Sequence, residues 1–555
     1  MTTVSPSAAT LTSSAWAGGT DHKTIGRQFI VVSVLFLLVG GALGLLMRAQ
    51  GAAPDLDIVG PRGYRQLFTI HGVVLVFLFL LPMWLGLASA VVPLQVGARG
   101  MAFPRAHALS LWLFVVGGAM VVAAPLASDV ASGWTLSSPL PEGRGFGGQG
   151  PDLLILGLAL VCAAAVVAVV NLLATMLQLR APAMPLRAVP LFSWSVLASG
   201  AVLLLALPVL VAALAMLFVD RHYGGHVFNG FTGSRGGNPL LWPRMFWFAA
   251  YPVLWALVLP ALGALCEVVP VFARRPLFSR ARAATAVAAV AVLSFAGWGA
   301  EVPSLVRARP LFALGGLAVL APLASLLLNW FMTAVGGSRR AAGAPRVLSM
   351  SPMLHALAAI TVLAAGLLGG AVAAVDAGGD AHRTYWSVAT QHTLFFGFST
   401  LGAVAALSYW APKLWGRHMS EGLGKLQVLA LVGGMHLTFL PMFVLGAQGM
   451  AARTATFDAG GGWGPANAVA TAGAFVLGLG VVLFVVNFLG CAVAGWGRRA
   501  DADPWGGRTL EWATSSPPPP HNFDSLPALV GGATASGAAL DRASTSAPAL
   551  EAAGR

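Results

Sequence analysis

LFTIHGVVLVFLFLLPMWLGLASAVVPLQ, running from Leu67 to Gln95, holds no Asp, Glu, Lys or Arg in 29 residues and one imidazole, His71. A helix of about 20 apolar residues crosses a bilayer, so this stretch reads as a membrane span. An ionisable side chain placed there is costly and is a functional candidate by default.

Working outward, comparable segments lie near 27–48, 108–127, 151–178, 190–218, 245–273, 283–303, 310–334, 353–375, 386–410, 426–448 and 467–494. With 67–95 they predict an all-α integral membrane protein, a bundle of twelve transmembrane helices. Composition agrees: 57% of residues are hydrophobic, 9% are charged, and the mean hydropathy is +0.80, which excludes a soluble globule with a charged surface.

The formal net charge of +13 is explained by topology and needs no nucleic acid. Basic residues concentrate in alternate loops, at Arg99 and Arg105, Arg180 and Arg187, Arg274 to Arg282, and Lys413 to Lys425, whereas Asp55, Asp57 and Asp129 mark the opposite side. The positive-inside rule then puts both termini in the cytoplasm of a bacterial-type inner membrane. Three segments follow: a cytoplasmic N-terminal part (1–26), the membrane domain (27–495), and a cytoplasmic tail (496–555). The tail's Pro, Ser, Ala and Gly content predicts that it is largely disordered. Cys162, Cys266 and Cys491 are far apart and show no metal-binding spacing.

Among the histidines inside spans are His71 in the second and His392 in the tenth. Two neutral imidazoles from different helices are what a six-coordinate, low-spin haem iron requires. The alternative is that each is an isolated core histidine satisfied by hydrogen bonds.

Ordered short motifs bear on that choice: DHKTIG (Asp21–Gly26), VPLQVGAR (Val92–Arg99), MAFPR (Met101–Arg105), LLW (Leu240–Trp242), PKLWGR (Pro412–Arg417) and DPWGGRTLEW (Asp503–Trp512). Over almost its whole length the chain resembles subunit I of the haem-copper oxidases, of the bacterial cytochrome c oxidase type. That resemblance implies a bundle of the subunit I type. It matches the two low-spin haem ligands to His71 and His392, the arginine at the haem edge to Arg48, and the propionate-binding arginine pair to Ala452 and Arg453, so one arginine of the pair is missing.

Elsewhere the chain departs from the family. Where the family's sixth span reads GHPEVY, this one reads AYPVLW (Ala250–Trp255), with Tyr251 at the copper-binding histidine, Val253 at the proton-delivering glutamate and Trp255 at the catalytic tyrosine. The remaining two copper ligands fall on Ala300 and Glu301, and the high-spin haem ligand falls on Thr390. Proton-channel positions fall on Gly100, His107, Leu323 and Leu326.

The expectation is therefore a membrane haem protein with one low-spin haem, of a or b type, without copper. It would take part in respiratory electron transfer, with other oxidase subunits or cytochrome c-type donors as partners and the oxygen-reducing centre and proton channels degenerate. The family activity is cytochrome c oxidation coupled to proton translocation, and whether this chain is an enzyme stays open. Two alternatives stand: an active terminal oxidase with non-standard ligands, and a haem-free structural or regulatory membrane protein. His355 and His436 are the remaining spare imidazoles, the former expected near a membrane face.

Overall fold

The computed structural model describes residues 18–136, 148–228, 236–335, 348–375 and 381–525. Twelve helices follow one another in the expected order: α1 (His22–Gln50), α2 (Gly60–Gln95), α3 (Pro104–Ala127), α4 (Gly150–Gln178), α5 (Leu191–His222), α6 (Leu241–Ala273), α7 (Arg280–Leu293), α8 (Ser304–Val335), α9 (Ser351–Val375), α10 (Tyr385–Trp415), α11 (Glu421–Ala447) and α12 (Gly464–Ala492). Among the described residues, eleven of these helices are long and apolar enough to cross a membrane.

The seventh differs from the sequence expectation. Its helix stops at Leu293, after 14 residues, and the chain continues through a bend into 3₁₀ turns at Trp298–Glu301 and Pro303–Ala308. Gly297 and Gly299 are weak helix formers, and the Ser294 hydroxyl donates to the Ala291 carbonyl at 2.7 Å, drawing the last turn inward. Irregular backbone at this depth is tolerated because protein covers it: Ser294 and Gly299 are buried.

Three helices form the centre. Within their apolar stretches, 94% of α2, 100% of α6 and 89% of α10 is buried, against 33% of α1 and 17% of α8. All candidate histidine ligands and most of the substituted catalytic positions lie on these three. Without a hydrophobic force between helices in lipid, close packing depends on small residues. A Cβ on Gly26 would sit 2.7 Å from the Gly86 carbonyl oxygen, and one on Gly86 equally close to that of Gly26, so α1 and α2 touch backbone to backbone.

The C-terminal segment departs from the disorder expected of it. Residues 500–525 pack across the ends of α1, α2, α6 and α10, with Trp505, Leu510, Glu511, Trp512 and Asn522 buried. Trp505 Nε1 donates to the Tyr409 carbonyl, Lys413 Nζ to those of Ala502 and Thr514, and Asn522 Nδ2 to that of Ala98, at 2.9, 2.7, 2.6 and 2.7 Å. Average composition concealed these anchors: the segment's Trp505 and Asn522 donate to carbonyls outside it, and Lys413 satisfies carbonyls of a backbone that forms no long helix of its own. Residues 526–555 of the tail, and 1–17 at the other end, lie outside the described residues.

Candidate functional site

His71 and His392 stand at equivalent points of their helices. α2 changes to a π-helical stretch at Val74–Leu80, just after His71, and α10 does so at His392–Gly397, beginning with the histidine. Such π-turns recur at functional sites because the extra residue re-aims the side chains around it.

Each ring is fixed by its Nδ1. His71 Nδ1 donates to the Gly40 carbonyl of α1 at 2.9 Å, and His392 Nδ1 donates to the Val388 carbonyl at 2.8 Å. A carbonyl only accepts, so the proton is on Nδ1 and the Nε2 lone pair is free, the tautomer that a metal ligand needs. Neither Nε2 has a hydrogen-bond partner among the described residues. The rings lie 6.1 Å apart between centroids, with planes 19° from parallel. Two bonds of about 2 Å from imidazole nitrogens to one metal ion, plus the two half-rings, span that distance.

The rings border a cavity of about 370 Å³ between α1, α2, α10, α11 and α12, within the size range of ligand pockets. Its wall is mostly apolar, with Leu75, Phe79, Met435 and Phe439; Phe439 stacks on His392 at 4.7 Å. The absence of a side chain at Gly44 is required, since a Cβ there would lie 2.8 Å from His71 Cε1.

Polar groups gather at one end. Arg48 Nη2 donates to the carbonyl and side-chain oxygens of Asn467 and to Thr471 Oγ1, at 3.2, 3.0 and 3.0 Å, while its Nε is buried without a partner. Arg453, at a left-handed φ of 70°, places its guanidinium 5.1 Å from the Phe68 ring centre. Burial holds the Arg453 pKa below its ordinary value. Ala452 offers no second cation beside it. Tyr64 and Tyr385 complete this end. Sequence reasoning missed both tyrosines, although each stands seven residues before its histidine, two turns earlier on the same helix face.

The structure thus brings His71, His392, Arg48 and Arg453 to one cavity, and sets the other candidates elsewhere. The Tyr251 hydroxyl presses on Gly297 where α7 ends; a Cβ there would be 2.5 Å away. Trp255 packs edge-on to Phe395 at 5.0 Å, filling the space between α6 and α10, with Nε1 buried and unpartnered. Ala300 and Glu301 occupy the 3₁₀ turn after α7. Thr390 turns toward α9, its Oγ1 being 3.1 Å from where a Gly369 Cβ would lie, and that hydroxyl is buried without a partner.

Among the described residues, no three His, Cys, Asp or Glu side chains stand together as a metal site. His107 is buried with both nitrogens unpartnered, and Leu323 and Leu326 are fully buried. His355, near the N-terminal end of α9, is fully buried, donating from Nδ1 to the Ser351 carbonyl at 2.7 Å, with its Nε2 3.0 Å from Gln427 Nε2.

Residues 24–476 match the family model for cytochrome c and quinol oxidase polypeptide I. The chain belongs to this family. It is 38% identical over 522 residues to a cytochrome c oxidase subunit 1-beta of Streptomyces coelicolor, covering 93% of this chain and 88% of the relative. It is 35% identical over 517 residues to cytochrome c oxidase subunit 1 of Bacillus subtilis, with 92% and 81% covered. To quinol oxidase subunit 1 of the same organism it is 33% identical over 521 residues, with 93% and 78% covered. A haem-copper terminal oxidase dimer solved by cryo-electron microscopy shares the fold, with a TM-score of 0.69 at 18% identity over 86% of this chain and 85% of that one. This oxidase polypeptide I relative is a multi-pass helical membrane protein.

Proposed function

We propose that this chain holds a single low-spin haem, of a or b type, between His71 and His392 and exchanges electrons through it, without reducing oxygen. The observation that carries this reading is the pair of parallel imidazoles 6.1 Å apart, each with Nδ1 tied to a carbonyl and Nε2 free. The residues fit the group: two neutral nitrogen donors, an apolar slot kept open at Gly44, and cationic Arg48 and Arg453 at one end to meet carboxylates or a carbonyl. The buried, unpartnered Arg48 Nε is a donor awaiting an acceptor. When bound, a bis-imidazole haem supplies one-electron exchange and has no open position for oxygen.

The positions used by the family for copper do not fit that metal. Tyr251, Ala300 and Glu301 replace three imidazoles, and Tyr251 is packed against Gly297. No step is assigned to copper or to a second haem, since Thr390 presents a neutral hydroxyl turned toward α9. Leu323 and Leu326 leave the corresponding proton route without hydroxyls or ionisable groups.

In this reading the protein sits in the cytoplasmic membrane with both termini inside. It passes electrons among other oxidase subunits or cytochrome c-type donors, or serves beside them in assembly. The test is haem and metal analysis of detergent-purified protein, with reduced-minus-oxidised spectra with and without carbon monoxide. One haem per chain, no copper and no carbon monoxide shift is the expected result. Two haems with copper would make it an oxidase, and no haem a structural or regulatory protein.

A further inference from the structure

Away from the histidine cavity, two glutamates are buried together, and neither is ion-paired to a cation among the described residues. Glu267 of α6 and Glu511 of the 500–525 segment both accept from Gln95 Nε2, at 2.8 and 3.0 Å. Glu267 also accepts from the Phe192 N–H at 2.8 Å, and Glu511 Oε1 from Trp410 Nε1 at 3.0 Å. Glu511 is fully buried, and its Oε2 has no partner. Arg280 Nη2 is engaged by the Arg187 and Val189 carbonyls, and Lys413 by those of Ala502, Thr514 and Ser515.

Two carboxylates that share one N–H₂ group away from water do not both remain ionised, because an unpaired buried charge is expensive and like charges repel. Gln95 cannot relieve this, since an amide carries no charge. Glu511 Oε2 is a free place for a hydrogen.

We propose that Glu267 and Glu511 form a site for one proton, shared between α6 and the C-terminal segment, and that this proton holds the segment on the bundle. Tyr409, Lys413, Cys266 and Arg280 are the other titratable groups facing the pair, and Asp503 stands near Tyr409 and Lys413. Burial pushes the Glu511 carboxyl above its ordinary pKa, against the pull of its hydrogen bonds to Gln95 and Trp410. The sign follows: docking is strongest below the ordinary carboxylate pKa, where Glu511 is protonated whether docked or free, and weakens as pH rises through the raised value. When the segment lifts, the Glu511 O–H bond breaks, the proton goes to water, and the carboxylate is hydrated.

A nitroxide on Ala513→Cys, an exposed position of the segment, reads docking in the full-length purified protein. The expected result is an immobile label at mildly acidic pH that becomes mobile as pH rises, and a label that stays immobile across the range in Glu511→Gln, where an amide replaces the protonated acid. Glu267→Gln, tested in the same way, should also lose the pH dependence. Infrared spectra should show a protonated-carboxyl band in the wild type that weakens in either variant. A mobility profile that is flat with pH in the wild type, or unchanged in both variants, overturns the latch. A carboxyl band unchanged in both overturns the proton site itself.

Discussion

Tyr64 of α2 and Tyr385 of α10 both line the polar end of the cavity, each seven residues before one of the paired histidines. Seven residues advance an α-helix by almost two full turns, so each tyrosine stands on the same face of its helix as its histidine.

Replacing either histidine tests the site directly. His71→Ala and His392→Ala should each remove the low-spin spectrum, because one imidazole cannot make a six-coordinate site. Circular dichroism should show that the helices remain. A visible spectrum unaltered by His71→Ala would eliminate the site.

Gly44 and Gly433 form a matched pair of probes. A Cβ at Gly44 meets the His71 ring at 2.8 Å, whereas one at Gly433 of α11, away from the cavity wall, meets nothing within 4 Å. Gly44→Ala should displace the ring and lower haem content, since ligand geometry tolerates only about 0.5 Å. Gly433→Ala should leave it unchanged, and pyridine haemochrome assays distinguish the two.

Arg48 cannot be exchanged for lysine without loss. Its Nη2 serves the carbonyl and side-chain oxygens of Asn467 and the Thr471 hydroxyl, a reach that an ammonium does not reproduce. Arg48→Lys should destabilise the protein by about 1–3 kcal/mol through unsatisfied buried acceptors. Thermal unfolding in detergent measures this; an unchanged midpoint would show that Asn467 and Thr471 find other partners.

Ala452→Arg restores the second cation beside Arg453. Positive charge favours the reduced haem, so the midpoint potential should rise, on the order of 59 mV for a tenfold change in a one-electron equilibrium. A potentiometric titration reads the shift directly, and an unchanged potential would place the new side chain away from the site.

The backbone contact of Gly26 with Gly86 gives a prediction independent of any cofactor. Gly86→Val would push α1 from α2 and cost about 1–3 kcal/mol, as overpacking generally does. The thermal midpoint should drop, while Gly41→Ala in α1 should leave it in place.

Much of this protein was legible in its residues. Uncharged runs such as Leu67–Gln95 dictate spanning helices, because lipid leaves the backbone no other partner. Position inside spans singled out His71 and His392, the resemblance to subunit I added Arg48 and Arg453, and the structure gathers those four at one cavity. The length of α7 was misread because hydropathy alone does not register the effect of Gly297, Gly299 and the Ser294 side chain on helix ends. The C-terminal segment was misread because composition averages over position, whereas Trp505, Glu511 and Asn522 are single anchors.

The sequence by itself therefore determined the membrane class, the helix order and which ionisable side chains stand inside the spans, since these depend on local hydrophobicity and residue identity. Only the tertiary structure decided that the two imidazoles face each other with free Nε2 atoms, that Tyr251 closes on Gly297, and that Glu511 is buried beside Glu267. The reason is physical: each of these relations joins residues on different elements, and their distance is fixed by how helices pack, which no local pattern encodes.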